Sequence, residues 1–192
     1  MLTLYLSPGA SSMAVHIALN EIGLPFEIRS LSFARKEHRN AAFRAVNAEG
    51  KVPTLLIDGR VLTEVLAILF YLARRYPDAN LLPDDIEQQA QALSWMSFIA
   101  ATVHPARQHG LDHARQIYAL ADRKLGKDDW ILGTYSIADI HLFRLYWRFF
   151  NSLKPDRAEF PHLSALYDRM MARPAVQQTI AAETAIGYEL PA

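Results

Sequence analysis

Cysteine is absent from the 192-residue sequence. Its absence excludes disulfide bonds, thiolate metal sites and any mechanism that uses a protein thiol as the nucleophile. A predominance of one charge is also absent, because 20 Lys and Arg residues balance 20 Asp and Glu residues. Without net positive charge the chain has no broad field to hold phosphate backbones, so we expect no nucleic-acid partner.

Long apolar runs are missing as well. The longest, Val65 to Ala73, is far shorter than the roughly 20 residues that a membrane-spanning helix needs. The N-terminus also has no basic region followed by an apolar stretch and a cleavage site. We therefore expect no membrane partner and a cytoplasmic location, while the 51% hydrophobic content is enough for a sizeable core.

Residues 1–77 alternate between strand and helix patterns. The runs LTLYL, PFEIRSL, KVPTLLID and RVLT have the composition of strands, and the Asp-Gly dipeptide between the last two favours a tight hairpin turn. A helical periodicity ends at Gly23, weakly helical residues follow at about 35–46, and an apolar helix covers 64–76. The order βαβαββα predicts an α/β domain in which helices pack on a sheet of about four strands.

Strand patterns disappear after the turn-rich segment PDANLLP. Ser136 and Asp139 have the spacing of a capping box, and Pro161 and Pro174 stand where helix starts tolerate proline. We therefore predict a domain at 1–77, a linker at 78–84 and an all-helical domain at 85–192.

Two serines, Ser11 and Ser12, follow the first strand in the stretch SPGASSMAVHIAL, where a helix begins. One interpretation is a strand-to-helix turn with a hydroxyl cap. The other is that the hydroxyls and the free N–H groups bind an anion. The residues alone leave both interpretations open.

Five segments together resemble the glutathione S-transferase family, most closely its bacterial beta-like members. They are SPGASSMAVHIALNEIGLPFE, NAEGKVPTLLIDGRVLTEVLAILFYLARRYP, LLP, WILGTYSIADIHLF and FPHLSALYDRMMARPAVQQ, in the family's order. The resemblance implies a thioredoxin-like domain that binds glutathione as co-substrate, followed by an all-helical domain, so the fold class is α/β plus all-α. A shared fold does not by itself establish the reaction.

The resemblance gives the serines a role. Ser11 would donate a hydrogen bond to the glutathione thiolate while the helix N-terminus adds partial positive charge, lowering the thiol pKa from about 8.5 toward neutrality. Ser12 is the neighbouring candidate, and only geometry separates the two.

Val52 would pair its backbone with the cysteinyl part of glutathione beside Pro53, which relatives hold in cis. A proline that begins an ordinary edge strand is the alternative.

The resemblance also implies contacts to the two ends of glutathione. Glu64 would bind the ammonium of the γ-glutamyl group, and the backbone N–H groups from Val65 on would bind the carboxylate of that group. Alternatively, the helix dipole alone explains an acidic residue at this position. Many relatives carry Ser or Gly where this chain has Val65, so a hydroxyl contact is lost and affinity should fall. Lys36 would meet the glycyl carboxylate, with a solvated surface lysine as the alternative.

Ser97 and His104 match positions that face the glutathione cleft in beta-like members, and their spacing of seven puts them on one helical face. His104 would hydrogen-bond the sulfur or a substrate, or else serve as a partly buried structural histidine. Pro105 stands where lysine is frequent, and a kink there would re-aim the imidazole. The segment from His104 to Trp130 is shorter than in such relatives, which implies a shallower, more open pocket for the second substrate.

A pair of histidines, His109 and His113, has a spacing that metal sites use. Gly110 weakens the helix between them, and no carboxylate or cysteine pattern completes a ligand set, so we expect no metal.

Two classes of function follow. The first is a transferase of the detoxification type, a homodimer that adds glutathione to a small hydrophobic electrophile, and Ser11, Pro53 and Glu64 favour it. The second is a non-catalytic glutathione-transferase-like binding or protein-interaction module, which Val65, Pro105 and the shortened helices favour.

Overall fold

A four-stranded sheet forms the centre of the N-terminal part of the chain. In the computed structural model, which describes residues 1–189, the strands are β1 (Leu2–Leu6), β2 (Phe26–Ser30), β3 (Thr54–Ile57) and β4 (Arg60–Thr63). Their order across the sheet is β2-β1-β3-β4. Strand β1 runs parallel to β2 and antiparallel to β3, which forms a hairpin with β4.

Eight α-helices account for most of the remaining described chain. They are α1 (Ser12–Ile22), α2 (Ala41–Val46), α3 (Val65–Arg75), α4 (Ile86–Phe98), α5 (Leu111–Leu125), α6 (Ile137–Leu153), α7 (Pro161–Met171) and α8 (Pro174–Ile186). The first part of the chain thus has the predicted order βαβαββα, and every later regular element within residues 1–189 is helical. None of the helices in this described part is both long and apolar enough to cross a membrane.

The chain divides into two compact units. The first contains Met1–Arg75 together with α8, and the second, the helical unit, is Tyr76–Arg173. Helix α8 packs against α1, an association that the sequence analysis did not foresee. The domain limits at 1–77, 78–84 and 85–192 stay a prediction from the sequence.

Several helix ends follow from local sequence. Gly23 ends α1 with a φ of 74°, a left-handed conformation that glycine adopts without steric cost. The Asp85 carboxylate caps α4 by accepting from the Gln88 N–H. Ser136 and Asp139 form the predicted capping box at the start of α6, and the buried Asp139 carboxylate also accepts from the N–H of Ile131.

The helix that carries Trp95 is not regular along its whole length. The α-helical part ends at Phe98, a π-helical turn follows at Ile99–Val103, and a 3₁₀ segment covers His104–His109. Pro105 accounts for the irregularity, because it has no N–H to donate and its ring clashes with the carbonyl of the preceding turn. The seven-residue spacing from Ser97 to His104 therefore does not guarantee a shared face.

Aromatic side chains fill the core of the helical unit. Tyr118 of α5 stacks on Phe149 of α6 with ring centroids 4.1 Å apart, and its hydroxyl donates to the Leu145 carbonyl at 3.1 Å. Burying these rings contributes to the hydrophobic stabilisation of the unit. Other fully buried aromatic residues of this unit are Phe143, Tyr146 and Phe160.

Candidate functional site

The two serines at the start of α1 have different surroundings. Ser12 is fully buried, and its hydroxyl both donates to the carbonyl and accepts from the N–H of Ser7, at 3.2 Å each. Ser11 is partly exposed, and its hydroxyl donates to the Val52 carbonyl at 2.9 Å. The expectation of a hydroxyl cap was wrong for Ser11, whose side chain makes no capping hydrogen bond to the helix.

The carbonyl that Ser11 contacts belongs to a turn with a cis peptide bond between Val52 and Pro53. A network of hydrogen bonds among Asn47, Lys51 and Thr54 stabilises this turn. The Asn47 amide donates to the Lys51 carbonyl at 3.0 Å and to the Thr54 hydroxyl at 2.9 Å, and that hydroxyl donates to the same carbonyl. The network fixes the direction of the backbone next to Ser11.

A small apolar cluster brings these two turns together. Ala10 from the first turn and Val52 from the second are both buried in it, with Tyr5 of β1 and Phe43 of α2. The Tyr5 and Phe43 rings lie 5.2 Å apart. Because the cluster contains Ala10, which precedes Ser11, and Val52, which precedes Pro53, it keeps the Ser11 hydroxyl close to the Val52 carbonyl.

Glu64 has an unusual backbone conformation at the start of α3. Its φ is 68°, a left-handed value that costs a non-glycine residue about 1 to 2 kcal/mol. The Glu64 side chain is exposed. Its negative charge makes a smaller contribution than that of Glu49 to the raised pKa of Lys51. The next residue, Val65, is buried. Strained residues of this kind occur preferentially at binding sites.

Lys36 lies on the exposed connection between β2 and α2 and itself has a left-handed φ of 56°. The connection is held by carboxylates, because Glu37 accepts from the Ser32 N–H at 2.7 Å and Glu189 accepts from the Ser32 hydroxyl at 2.7 Å and the Ala34 N–H at 3.0 Å. These bonds order the loop that carries the Lys36 side chain.

A buried carboxylate that the sequence analysis missed, Glu183 of α8, reaches the turn before Ser11. One of its oxygens accepts from the Gly9 N–H at 2.6 Å, and the other lies 3.0 Å from Nδ1 of His16. Glu183 and His16 are both buried. Acidic and imidazole side chains are rarely buried without such partners, but 167 residues separate this pair, so no local pattern reveals it.

The remaining predicted site residues, Ser97 and His104, belong to the helical unit. Both have exposed surface. The protein atoms around the His104 imidazole displace enough water to lower its pKa to about 4, with smaller contributions from the charges of Arg144 and Arg148. His104 is therefore neutral at pH 7 and able either to donate or to accept a hydrogen bond.

The His109 and His113 rings pack edge to face with centroids 5.3 Å apart. Within residues 1–189 no group of three or more His, Asp or Glu side chains is arranged to hold a metal ion.

Comparison with known proteins identifies the family. The family model for the glutathione S-transferase N-terminal domain matches residues 1–74, and that for the C-terminal domain matches residues 66–174. The glutathione S-transferase GstA of Escherichia coli O157:H7 is 35% identical over 198 aligned positions, which cover 94% of this chain and 98% of GstA.

Solved structures agree with this match. The glutathione S-transferase from Xylella fastidiosa superimposes with a TM-score of 0.86 at 30% identity, covering 96% of this chain and 99% of its own. A sphingomonad glutathione S-transferase complexed with glutathione has a TM-score of 0.84 at 33% identity, with coverages of 95% and 98%. The chain therefore belongs to the glutathione S-transferase family of enzymes, and the predicted thioredoxin-like domain followed by a helical domain is confirmed.

Replacing Glu64 tests the expectation that its carboxylate binds the γ-glutamyl ammonium of glutathione. Loss of a charge-assisted partner typically costs about 2 to 5 kcal/mol, so Glu64→Ala should weaken glutathione binding at least tenfold in calorimetry. Glu64→Gly should bind as weakly but be about 1 kcal/mol more stable than Glu64→Ala, because glycine tolerates the left-handed φ. Glu49→Ala is the matched control, and affinity within twofold of wild type in Glu64→Ala would contradict the prediction.

Replacing Glu183 tests the buried contact to the first turn. Glu183→Ala leaves the Gly9 N–H and His16 without their acceptor, so we expect the free energy of unfolding in urea to fall by about 2 to 5 kcal/mol. Glu183→Gln retains one acceptor oxygen and should lose less. Gln178→Ala, an exposed change on the same helix, should stay within about 0.5 kcal/mol of wild type. An equally small loss for Glu183→Ala would show that α8 does not anchor the turn.

Proposed function

We propose that the chain activates the thiol of glutathione and transfers glutathione to a small hydrophobic electrophile. The observation that carries the proposal is the hydrogen bond from the partly exposed Ser11 hydroxyl to the Val52 carbonyl, at the start of α1. It supports Ser11 rather than Ser12 as the group beside the thiol, because Ser11 is partly exposed, whereas Ser12 is fully buried and its hydroxyl donates to the Ser7 carbonyl.

Glutathione binding would redirect the Ser11 hydroxyl. The cysteinyl N–H of glutathione pairs with the Val52 carbonyl as an added strand, and the hydroxyl proton then turns to the sulfur. A hydrogen bond from O–H to thiolate stabilises the charged form, and the N-terminus of α1 adds partial positive charge. The thiol proton leaves to solvent, and the thiolate attacks the electrophile held beside it.

The other ends of glutathione are assigned by the same proposal. Glu64 binds the γ-glutamyl ammonium, and the N–H of Val65 at the start of α3 binds the γ-glutamyl carboxylate. Lys36 meets the glycyl carboxylate. Ser97 and His104 of the helical unit are assigned to hydrogen bonds with the second substrate.

Ser11→Ala tests thiol activation. We expect the pKa of bound glutathione, followed by the ultraviolet absorbance of the thiolate against pH, to rise by about 1 to 2 units, because one charge-assisted hydrogen bond is lost. Ser12→Ala is the control and should leave the thiol pKa unchanged while reducing stability. A shift in Ser12→Ala alone would move the role to the neighbour, and a shift in neither would refute thiol activation by a serine.

The alternative function is a non-catalytic binding or protein-interaction module, and the buried Val65 in place of a smaller residue favours it. Retention on immobilised glutathione, followed by a conjugation assay with a generic electrophile, separates the two functions. Retention with turnover supports the transferase, whereas the absence of turnover, with or without retention, supports the module.

A homodimer is the second part of the proposal. Partly exposed apolar residues of α3, Leu66 and Phe70, and the exposed Val61 of β4 offer a surface for a second copy. Sedimentation equilibrium at micromolar concentration should give about twice the 21.7 kDa of one chain. Phe70→Glu should shift the equilibrium toward monomer, and a clean monomer for wild type would contradict the proposal.

A further inference from the structure

Five basic side chains of the helical unit form a group of which the proposed function uses only His104. We refer to them as the basic cluster, and they are His104, Arg107, His141, Arg144 and Arg148. Helix α6 contributes three of them at spacings of three and four, which places them on one helical face. The two others stand three apart in the 3₁₀ segment His104–His109, where residues at that spacing eclipse each other.

Contacts between the elements bring the two sets together. The 3₁₀ segment packs on α5, and α5 is joined to α6 by the hydrogen bond from the Tyr118 hydroxyl to the Leu145 carbonyl. The charges of Arg107, Arg144 and Arg148 all act on the Tyr118 hydroxyl. The Tyr118 hydroxyl, which joins α5 to α6, is therefore within the electrostatic influence of all three guanidinium groups.

Carboxylates do not neutralise the outer members of the basic cluster. Within residues 1–189, neither Arg107 nor Arg148 forms an ion pair, although each is only partly exposed. Desolvation and, after it, the neighbouring charge of Arg107 lower the pKa of Arg148. Adjacent, half-buried like charges are unfavourable unless an anion compensates them.

A buried imidazole in the basic cluster also lacks a partner. His141 is 2% exposed, and its Nδ1 has no hydrogen-bond partner within the described chain. An unsatisfied buried polar atom of this kind usually indicates a bound water or ligand. The π-helical turn Ile99–Val103 leads directly into His104, and such turns occur frequently at functional sites.

We propose that the basic cluster binds a carboxylate, and that the electrophile accepted by this transferase carries one beside its apolar body. Arg107 and Arg148 supply the positive charge, and His104 and His141 supply neutral imidazole groups for hydrogen bonds. The assignment to the second substrate rests on the proposed function, whereas the carboxylate site itself does not.

The test compares two electrophiles that differ in charge, 4-(bromomethyl)benzoate and its methyl ester. In both, the glutathione thiolate forms a C–S bond at the benzylic carbon, bromide leaves with the bonding electrons, and the thiol proton goes to the buffer. After subtraction of the uncatalysed rate, wild type should favour the carboxylate in kcat/KM. Arg107→Gln and Arg148→Gln should reduce that preference at least tenfold, mainly through KM.

Arg123→Gln is the matched control, because it removes one exposed positive charge from α5 of the same unit. It should keep the wild-type preference. An unchanged preference in both Arg107→Gln and Arg148→Gln, or a wild type that prefers the ester, would overturn the assignment.

A binding experiment separates this inference from the proposed function. The unreactive 4-methylbenzoate should bind wild type in calorimetry and bind Arg148→Gln at least fivefold more weakly, whether or not conjugation occurs. No binding to wild type, or equal binding to both, would overturn the carboxylate site. If Arg148→Gln instead loses affinity for glutathione, the arginines serve the carboxylates of glutathione and the second-substrate assignment is wrong.

Discussion

The buried Glu183 carboxylate is the constraint on which the geometry around Ser11 depends. It comes from α8 and accepts from the Gly9 N–H in the turn between β1 and α1, while its other oxygen contacts His16 inside α1. A carboxylate without water must satisfy its oxygens with protein donors, so the turn, the first helix and the last helix are fixed together. A second bond from Asn20 of α1 to Thr179 of α8 at 2.8 Å reinforces the same packing.

The apolar cluster that contains Ala10 and Val52 then packs this turn against the cis Val52–Pro53 turn. The Ser11 hydroxyl donates to the Val52 carbonyl, in a turn that the hydrogen bonds of Asn47 stabilise. The first unit thus carries polar groups whose directions are set before any ligand arrives. Such preorganisation lowers the free energy that binding would otherwise spend on ordering them. Glu64 adds backbone strain that the surrounding fold has to stabilise.

Charge is distributed differently in the helical unit. The formal net charge of the chain is zero, which argues against a broad electrostatic field, yet the charge of Arg107 acts on Arg148, and neither arginine forms an ion pair among the described residues. Composition averages over the surface, whereas binding depends on the few charges around one cavity or cleft. The pair His109 and His113 has a spacing that metal sites use, although the sequence predicts no metal there, and in the structure the two rings pack edge to face.

Local sequence determined most of the first unit, including its strands and the end of α1 at Gly23, and in the helical unit it determined the capping box at Ser136, because hydrogen bonds and φ angles over a few residues decide such features. The match of motifs also determined the family. Tertiary structure alone decided that the Ser11 hydroxyl reaches the Val52 carbonyl and that Glu183 of α8 joins the first unit. These outcomes depend on contacts between residues far apart in the chain, which no local periodicity encodes.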